Sequence, residues 1–451
     1  MTIVHHRISR RLGAVLAFLT LAAAPAAARA QDTTLAHPLS LGDAARLAAR
    51  QSASAQAARF RSEQAAARIS QSRAALLPNF SVDAIESGHT INTATFGLEL
   101  PGMNPDGEII GPVKTLDTRG RLSLSLLDLG ALGRVKSARS AADASEADAV
   151  NVAEQSAALA AAAYLRTQRA DAQLLARLAD SVLADSLLGI ARDQFRAGVG
   201  VALDVTRAEA QVASVRAQLI VARNERDRAS LELQRALGLS LGTTVRLADS
   251  LSTLPISDTL PDEQAAIERA MRQRPDLRAA DAQLQAAEQQ ASAIKAERLP
   301  SVGVFGDEGW LGTNSGNMLN TYTWGVQVSL PIFDGFRREG RIQEQEAVAR
   351  EVDVRRRDLR QQAAIEVRGA LLDLRSAREQ VDAARERLRL AEQELKQAQD
   401  RFTAGVAGNA DVITASLSLN ASRNLVIDAL TSYQSARVSL ARAEGSVTTL
   451  P

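Results

Sequence analysis

The sequence predicts a mainly α chain with a small transmembrane β part: duplicated long-helix coiled-coil hairpins plus four strands per protomer. Three observations predict it. Segments about two hundred residues apart repeat each other, helical character persists for more than 60 residues in each copy, and short alternating segments interrupt the helices.

The repeat organises the rest. Gln194-Phe195-Arg196-Ala197-Gly198-Val199 returns as Arg401-Phe402-Thr403-Ala404-Gly405-Val406, 207 residues later. The same shift carries Asp204-Val205 onto Asp411-Val412, Arg216 onto Arg423, Gly238 onto Gly445, and Gly133-Arg134-Val135 onto Gly340-Arg341-Ile342. Further upstream the shift is 222 and matches Leu77-Pro78 with Leu299-Pro300, as loops of unequal length require. The chain divides into a leader at 1–30, a first repeat at 31–245, a linker at 246–261, a second repeat at 262–447 and a tail at 448–451.

Each copy reads helix, two strands, very long helix, tight turn, long helix. The first helix is expected over 41–76, ahead of Pro78, and its counterpart over 262–298, ahead of Pro300. Proline cannot continue a helix and biases the residue before it away from helical angles. Pro275 inside the second copy marks a kink or a reset. The very long helices are expected over 135–196 and 341–404, roughly 90–95 Å each at 1.5 Å per residue. The second carries a heptad seam: Leu374, Ala377, Val381, Ala384, Leu388, Ala391, Leu395, Ala398 and Phe402. Apolar residues at 3,4 spacing over several heptads define a coiled-coil contact, and alternating alanines allow close approach. The seam runs into Gly405 and Gly408, and a new helix begins near 409–411, so the chain turns back on itself as an antiparallel hairpin. Residues 198–200 repeat the reversal in the first copy, where glycine permits the positive φ that a tight turn needs.

Composition agrees. Hydrophobic residues make up 46% and aromatics only 3%, so alanine, leucine and valine supply the apolar content, and alanine is the strongest helix former. A net charge of +1 offers no basic surplus for nucleic acid. With no cysteine there are no disulfides, thiolate sites or lipid-bearing N-terminal cysteine. Of the four histidines, His5 and His6 fall in the expected leader, and no histidine metal cluster or cofactor is expected. That leader has Arg7, Arg10 and Arg11 before an apolar run at 12–24, then Ala28-Arg29-Ala30, the pattern of a cleaved secretory signal with the mature chain starting at Gln31. The run is too short for a membrane span of about 20 residues. Removing 1–30 lowers Lys+Arg from 53 to 49 against 52 acidic residues.

Period-2 segments lie between the helices: Thr95-Phe96-Gly97-Leu98-Glu99-Leu100, residues 121–126, 301–304 and 324–330. Such alternation makes a sheet with one apolar and one polar face. In an outer-membrane barrel the apolar face is outward, residues 101–117 and 306–320 become external loops, and Trp310, Tyr322 and Trp324 form an interfacial belt in contact with lipid. Four strands cannot close a barrel, since the smallest have about eight. Three copies supply twelve, so a homotrimer is expected.

The order of elements, the duplication, the turn Arg401-Phe402-Thr403-Ala404-Gly405-Val406 followed by Asp411-Val412, and Leu330-Pro331-Ile332-Phe333-Asp334-Gly335 closing the last strand resemble the TolC family of outer-membrane efflux proteins over nearly all of 40–447. The resemblance implies a trimer forming a twelve-stranded β-barrel in the outer membrane and an α-helical tunnel through the periplasm. It also implies a passive exit duct in a tripartite efflux or type I secretion system. The partners would be a periplasmic adaptor (membrane fusion) protein and an inner-membrane RND or ABC transporter. It places Asp411 in an acidic ring at the pore constriction, with Asp204, Phe402 and Thr414 beside it. It assigns adaptor contacts to Gly198, Val199, Gly405 and Val406. Thr414 stands where a second acid often lies, Phe402 where a tyrosine hydroxyl helps hold the closed state, and Ala407 near a latching arginine, so a single acidic ring and a weak latch are expected. Asp411 and Asp204 also suit a simpler role, favouring the positive end of a helix dipole.

No catalytic constellation is present: no Ser/His/Asp set, phosphate loop or metal spacing. Runs such as Arg385-Glu386-Arg387 read as solvated faces, and no enzyme activity is expected. The alternative class is an exported periplasmic coiled-coil spacer or adaptor protein.

Overall fold

The computed structural model describes residues 38–96, 107–256, 260–406 and 408–450. The expected leader and Gln31, most of the segment 95–100, and Ala407 lie outside them. The elements, in order, are α1 (Leu41–Gln51), α2 (Ala53–Ala74), β1 (Asn79–Asn92), β2 (Ile109–Leu127), α3 (Leu129–Arg196), α4 (Ala202–Leu237), α5 (Glu263–Gln273), α6 (Pro275–Ala296), β3 (Ser301–Gly312), β4 (Leu319–Ser329), α7 (Arg337–Thr403) and α8 (Asn409–Glu444). The two halves match element for element. α1 and α5 have 11 residues, α2 and α6 have 22, and α4 and α8 have 36. α3 and α7 have 68 and 67, about 100 Å at 1.5 Å per residue.

The helices form four columns. α3 and α7 run the full length. α2 packs on α3 towards the sheet and α4 packs on it towards the tip; α6 and α8 do the same for α7. Across the middle, α3 meets α6 above and α8 below. The expected seam holds: Leu374, Ala377, Val381, Ala384, Ala391, Leu395 and Phe402 are buried, with Leu388 and Ala398 partly so. Burying a Val, Leu or Phe side chain contributes about 1.5–3 kcal/mol. This apolar stripe, more than helix propensity, stabilises the hairpin.

One correction concerns the first helices. The expected 41–76 and 262–298 are each broken in two, at Ser52 and at Arg274. Pro275 takes the first helical position of α6, where its missing N–H costs nothing. No proline marks the break at Ser52. Its hydroxyl accepts from the Ala55 amide at 3.2 Å and caps α2. The breaks make room for the returning helices. α4 ends at Gly238 and α8 at Gly445, both left-handed at φ +71° and +75°, and both against a break. A Cβ on Gly238 would lie 2.5 Å from the Gln51 carbonyl oxygen, and one on Gly445 would lie 2.9 Å from Arg274 Cα. These glycines therefore need both the positive φ and the missing side chain. The waist is closed by a parallel bridge of Leu39 with Leu247 and by buried Tyr164, whose hydroxyl donates to the Leu39 carbonyl at 2.9 Å.

A second correction concerns the strands. The first strand is Asn79–Asn92, not 95–100; residues 93–96 form a 3-10 turn. Residues 109–117 of the expected external loop belong to β2, whose Pro112 sits where the β1–β2 register shifts between His89 and Ile91. Proline is tolerated at such a bulge because no ladder N–H is required. β3 and β4 leave only 313–318 between them.

Candidate functional site

The two ends of the long hairpins carry the features that bear on function. At one end lies a four-stranded antiparallel sheet, order β1-β2-β3-β4, with β1 and β4 as edges. Register places Phe80, Leu122, Gly306 and Trp324 in one row, and Leu124, Val304 and Val326 in the next. The face they share also holds Val82, Trp310, Tyr322 and Val328, and these six large side chains other than the row-mates Val304 and Leu124 are exposed, Trp324 to 77%. The exposed apolar band continues beyond β4 through Ile332, Phe333 and Phe336, the last two rings in edge contact at 5.4 Å. The opposite face is polar. Arg119 pairs with Asp117 at 2.7 Å and Asp307 at 3.0 Å, Arg121 pairs with Asp83 at 3.3 Å, and Ser81, Ser123, Ser125 and Gln327 lie among them. Sheets of water-soluble proteins bury their apolar face; here the charged face is paired and the apolar face is bare.

At the other end are the hairpin tips. Gly198 and Gly405 take φ +76° and +73° with open space around them, so conformation alone calls for glycine there. Val199 and Val406 project at 80% and 69% exposure. The two tips are joined: the Asn409 side chain, fully buried, donates to the Asp204 carbonyl at 3.1 Å, while its Oδ1 has no partner among the described residues. Gln194 donates to the Phe402 carbonyl at 3.2 Å.

The expected constriction residues separate into different roles. Asp411 is exposed in the first turn of α8, and its carboxylate caps no backbone N–H. Its partner is Arg401, 4.0 Å away across the turn, a residue sequence reasoning passed over. The clue was available, since Arg401 opens the repeated turn motif. Thr414 is exposed and donates to the Ala410 carbonyl of its own helix. Asp204 is mostly covered and lies 3.7 Å from Arg207. Phe402 is 3% exposed inside the second hairpin, against Leu395, Val412 and Ala415, so its ring faces the hairpin core and presents no surface to a lumen.

Among the described residues no helix is long and apolar enough to cross a membrane, and no three His, Asp or Glu side chains form a metal-binding group. A cleft of about 980 Å³ at the waist, between α3, α4, α8 and the linker, is walled by Leu233, Leu247, Leu430 and the paired Asp171 and Arg226. It holds no nucleophile with an adjacent base.

A sheet with a bare apolar face, set on hairpins about 100 Å long, defines a membrane-embedded protein that extends a helical column away from the bilayer. Comparison with known proteins specifies the family. The model of the family described as "Outer membrane efflux protein" matches residues 44–239 and 266–446, and the chain belongs to that family of channel proteins. It is similar to the CmeC outer membrane channel of Campylobacter jejuni, at 20% identity and a TM-score of 0.75 over 90% of this chain and 85% of that one. It is similar to the outer membrane protein VceC of Vibrio cholerae, at 20% identity and a TM-score of 0.73 over 90% and 96%. It is also similar to the MtrE outer membrane channel of Neisseria gonorrhoeae, in its open state, at 20% identity and a TM-score of 0.74 over 90% and 89%. No curated protein sequence matches the chain.

Proposed function

We propose that three copies form an outer-membrane trimer that serves as the passive exit duct of a tripartite efflux or type I secretion system. The observation that carries this reading is the open sheet: two unpaired edges and an exposed apolar face. Successive strands are antiparallel, so β4 of one copy meets β1 of the next in antiparallel sense, and three four-stranded sheets can close without an edge. The 11 residues of β4 extend about 37 Å at 3.4 Å each and cover about 26 Å at a 45° tilt, close to the apolar band of such barrels. The polar face then lines a water-filled lumen.

The columns continue the duct into the periplasm. The exposed tips at Gly198, Val199, Gly405 and Val406 are the surface for a periplasmic adaptor, and an inner-membrane RND or ABC transporter supplies the energy. Asp411, exposed and only loosely held by Arg401, is the residue assigned to the constriction; Thr414 lies one turn above it. The test is to express the full chain, isolate outer membranes and run extracted protein unheated, heated and crosslinked on a gel. A crosslinked trimer in the outer-membrane fraction is expected, with Asp411→Ala changing conductance and cation selectivity. A soluble periplasmic monomer or dimer would refute the reading.

A further inference from the structure

The two hairpins of one chain meet along α3 and α8, and that seam is unusually well closed. Leu183, Leu187 and Ile190 of α3 enter the apolar core of the second hairpin. Above them Asp180, its carboxylate 1% exposed, accepts from Arg177 of its own helix at 2.9 Å and from Arg423 of α8 at 3.0 Å. Asn420 of α8, its amide turned to present Nδ2, donates to both carboxylate oxygens. A buried carboxylate with every lone pair engaged by two elements tolerates no sliding, because displacement leaves an uncompensated buried charge.

Asp180, Leu183, Leu187, Ile190 and Gln194 lie on one face of α3 at 3,4 spacing. The 207-residue repeat carries them to Arg387, Leu390, Glu394, Gln397 and Arg401 of α7, all five exposed. It also carries Arg423 back to Arg216 and Asn420 back to Ala213, both on α4 and both exposed. The column order in the lower half is α4–α3–α8–α7. In the trimer, on whose existence this inference rests, α7 of one copy adjoins α4 of the next at the place related by the repeat to the α3–α8 seam. The two seams share a backbone plan and differ in chemistry. One is apolar and locked by a carboxylate; the other has Arg387 where the lock should be and Arg216 opposite it, on faces that are already hydrated.

We propose that the α3–α8 seam is fixed and that the seam between copies, α7 against α4, is the one that parts when the tip end of the duct opens. Each chain's two hairpins then move as one body, with Asp180 as the joint. Parting the wet seam exposes polar groups that keep their water and relieves the facing guanidinium charges. Parting the dry one strands Asp180.

The chain has no cysteine, so paired thiols report cleanly. The test compares D180C/R423C with its repeat-related twin R216C/R387C, in full-length protein reconstituted in planar bilayers, before and after a short thiol–thiol bridging reagent and then reductant. Bridging R216C/R387C is expected to link separate chains into a ladder on a gel and to cut open probability at least about tenfold, reversibly. Bridging D180C/R423C is expected to link within a chain and change open probability less than about twofold. Should D180C/R423C fail to assemble, R169C/D428C bridges the same seam at an exposed ion pair of 2.8 Å, with the same expectation. Closure by the within-chain bridge, or no effect of an interchain bridge that forms, overturns the proposal. A parent that conducts as a trimer while R216C/R387C forms no interchain link overturns it as well and leaves the channel reading standing. A parent with neither trimer nor conductance overturns both.

Discussion

Replacing four-column glycines by alanine separates the physical reasons for their presence. At Gly405 the backbone sits at φ +73° with nothing near an added Cβ, so Gly405→Ala costs the left-handed strain alone, about 1–2 kcal/mol. At Gly445 the φ is +75° and the Cβ would lie 2.9 Å from Arg274 Cα and 3.1 Å from Arg274 N, both backbone atoms. Arg274 cannot yield easily. It is buried and its guanidinium holds Asp276 at 2.6 Å, Glu366 at 2.7 Å and the Ala443 carbonyl at 3.3 Å. Overpacking of this kind costs a further 1–3 kcal/mol or so, about 2–5 kcal/mol in all. Gly189, exposed inside α3 with open space around it, sets the opposite sign: Gly189→Ala should stabilise by about 0.5–1 kcal/mol. Thermal melting of the full-length protein in detergent, followed by helical circular dichroism, should rank G189A above the parent, then G405A, then G445A. Equal losses in G405A and G445A would refute the claim that the helix break and the returning helix end are packed against each other.

Three further outcomes are expected. Val326→Arg places a charge on the apolar face of β4, where a mid-bilayer cation costs about 2–4 kcal/mol, whereas Gln327→Arg on the polar face assembles like the parent; the yield of outer-membrane protein measures both, and equal yields would contradict the assignment of faces. Phe402→Ala should cost about 3–5 kcal/mol through the cavity it leaves in the second hairpin, read as faster hydrogen exchange over 395–419; unchanged exchange would mean the ring is not core. Burial raises the Asp180 carboxyl above the ordinary 3.8, against the opposing pull of Arg177 and Arg423. The folded protein therefore holds this proton more tightly than the unfolded chain. Its contribution is fully present below the unfolded value and is lost as pH rises through the folded one. Asp180→Asn removes that slope, so melting temperatures measured from about pH 3.5 to 7 should shift in favour of the variant as pH rises, and a shift the other way would refute the burial argument.

The local pattern of the sequence by itself determined the duplication, both hairpins, the heptad seam and the glycine reversals. Helical periodicity and turn chemistry are properties of neighbouring residues, and the buried positions from Leu374 to Phe402 follow from 3,4 spacing alone. Other features were decided only by tertiary structure. β1 is a strand because β2 pairs with it residue by residue, and its own sequence, with Ser81, Asp83, Glu86 and Ser87, shows little apolar alternation. α1 and α2 separate at Ser52 because Gly238, some 186 residues away, needs the space. Arg401 pairs with Asp411 because the turn brings them together. Asp180 looks like any other helical aspartate in the sequence, and only the packing of α8 against α3 removes its water. Burial of a polar group depends on what arrives from elsewhere in the chain, and no local pattern carries that information.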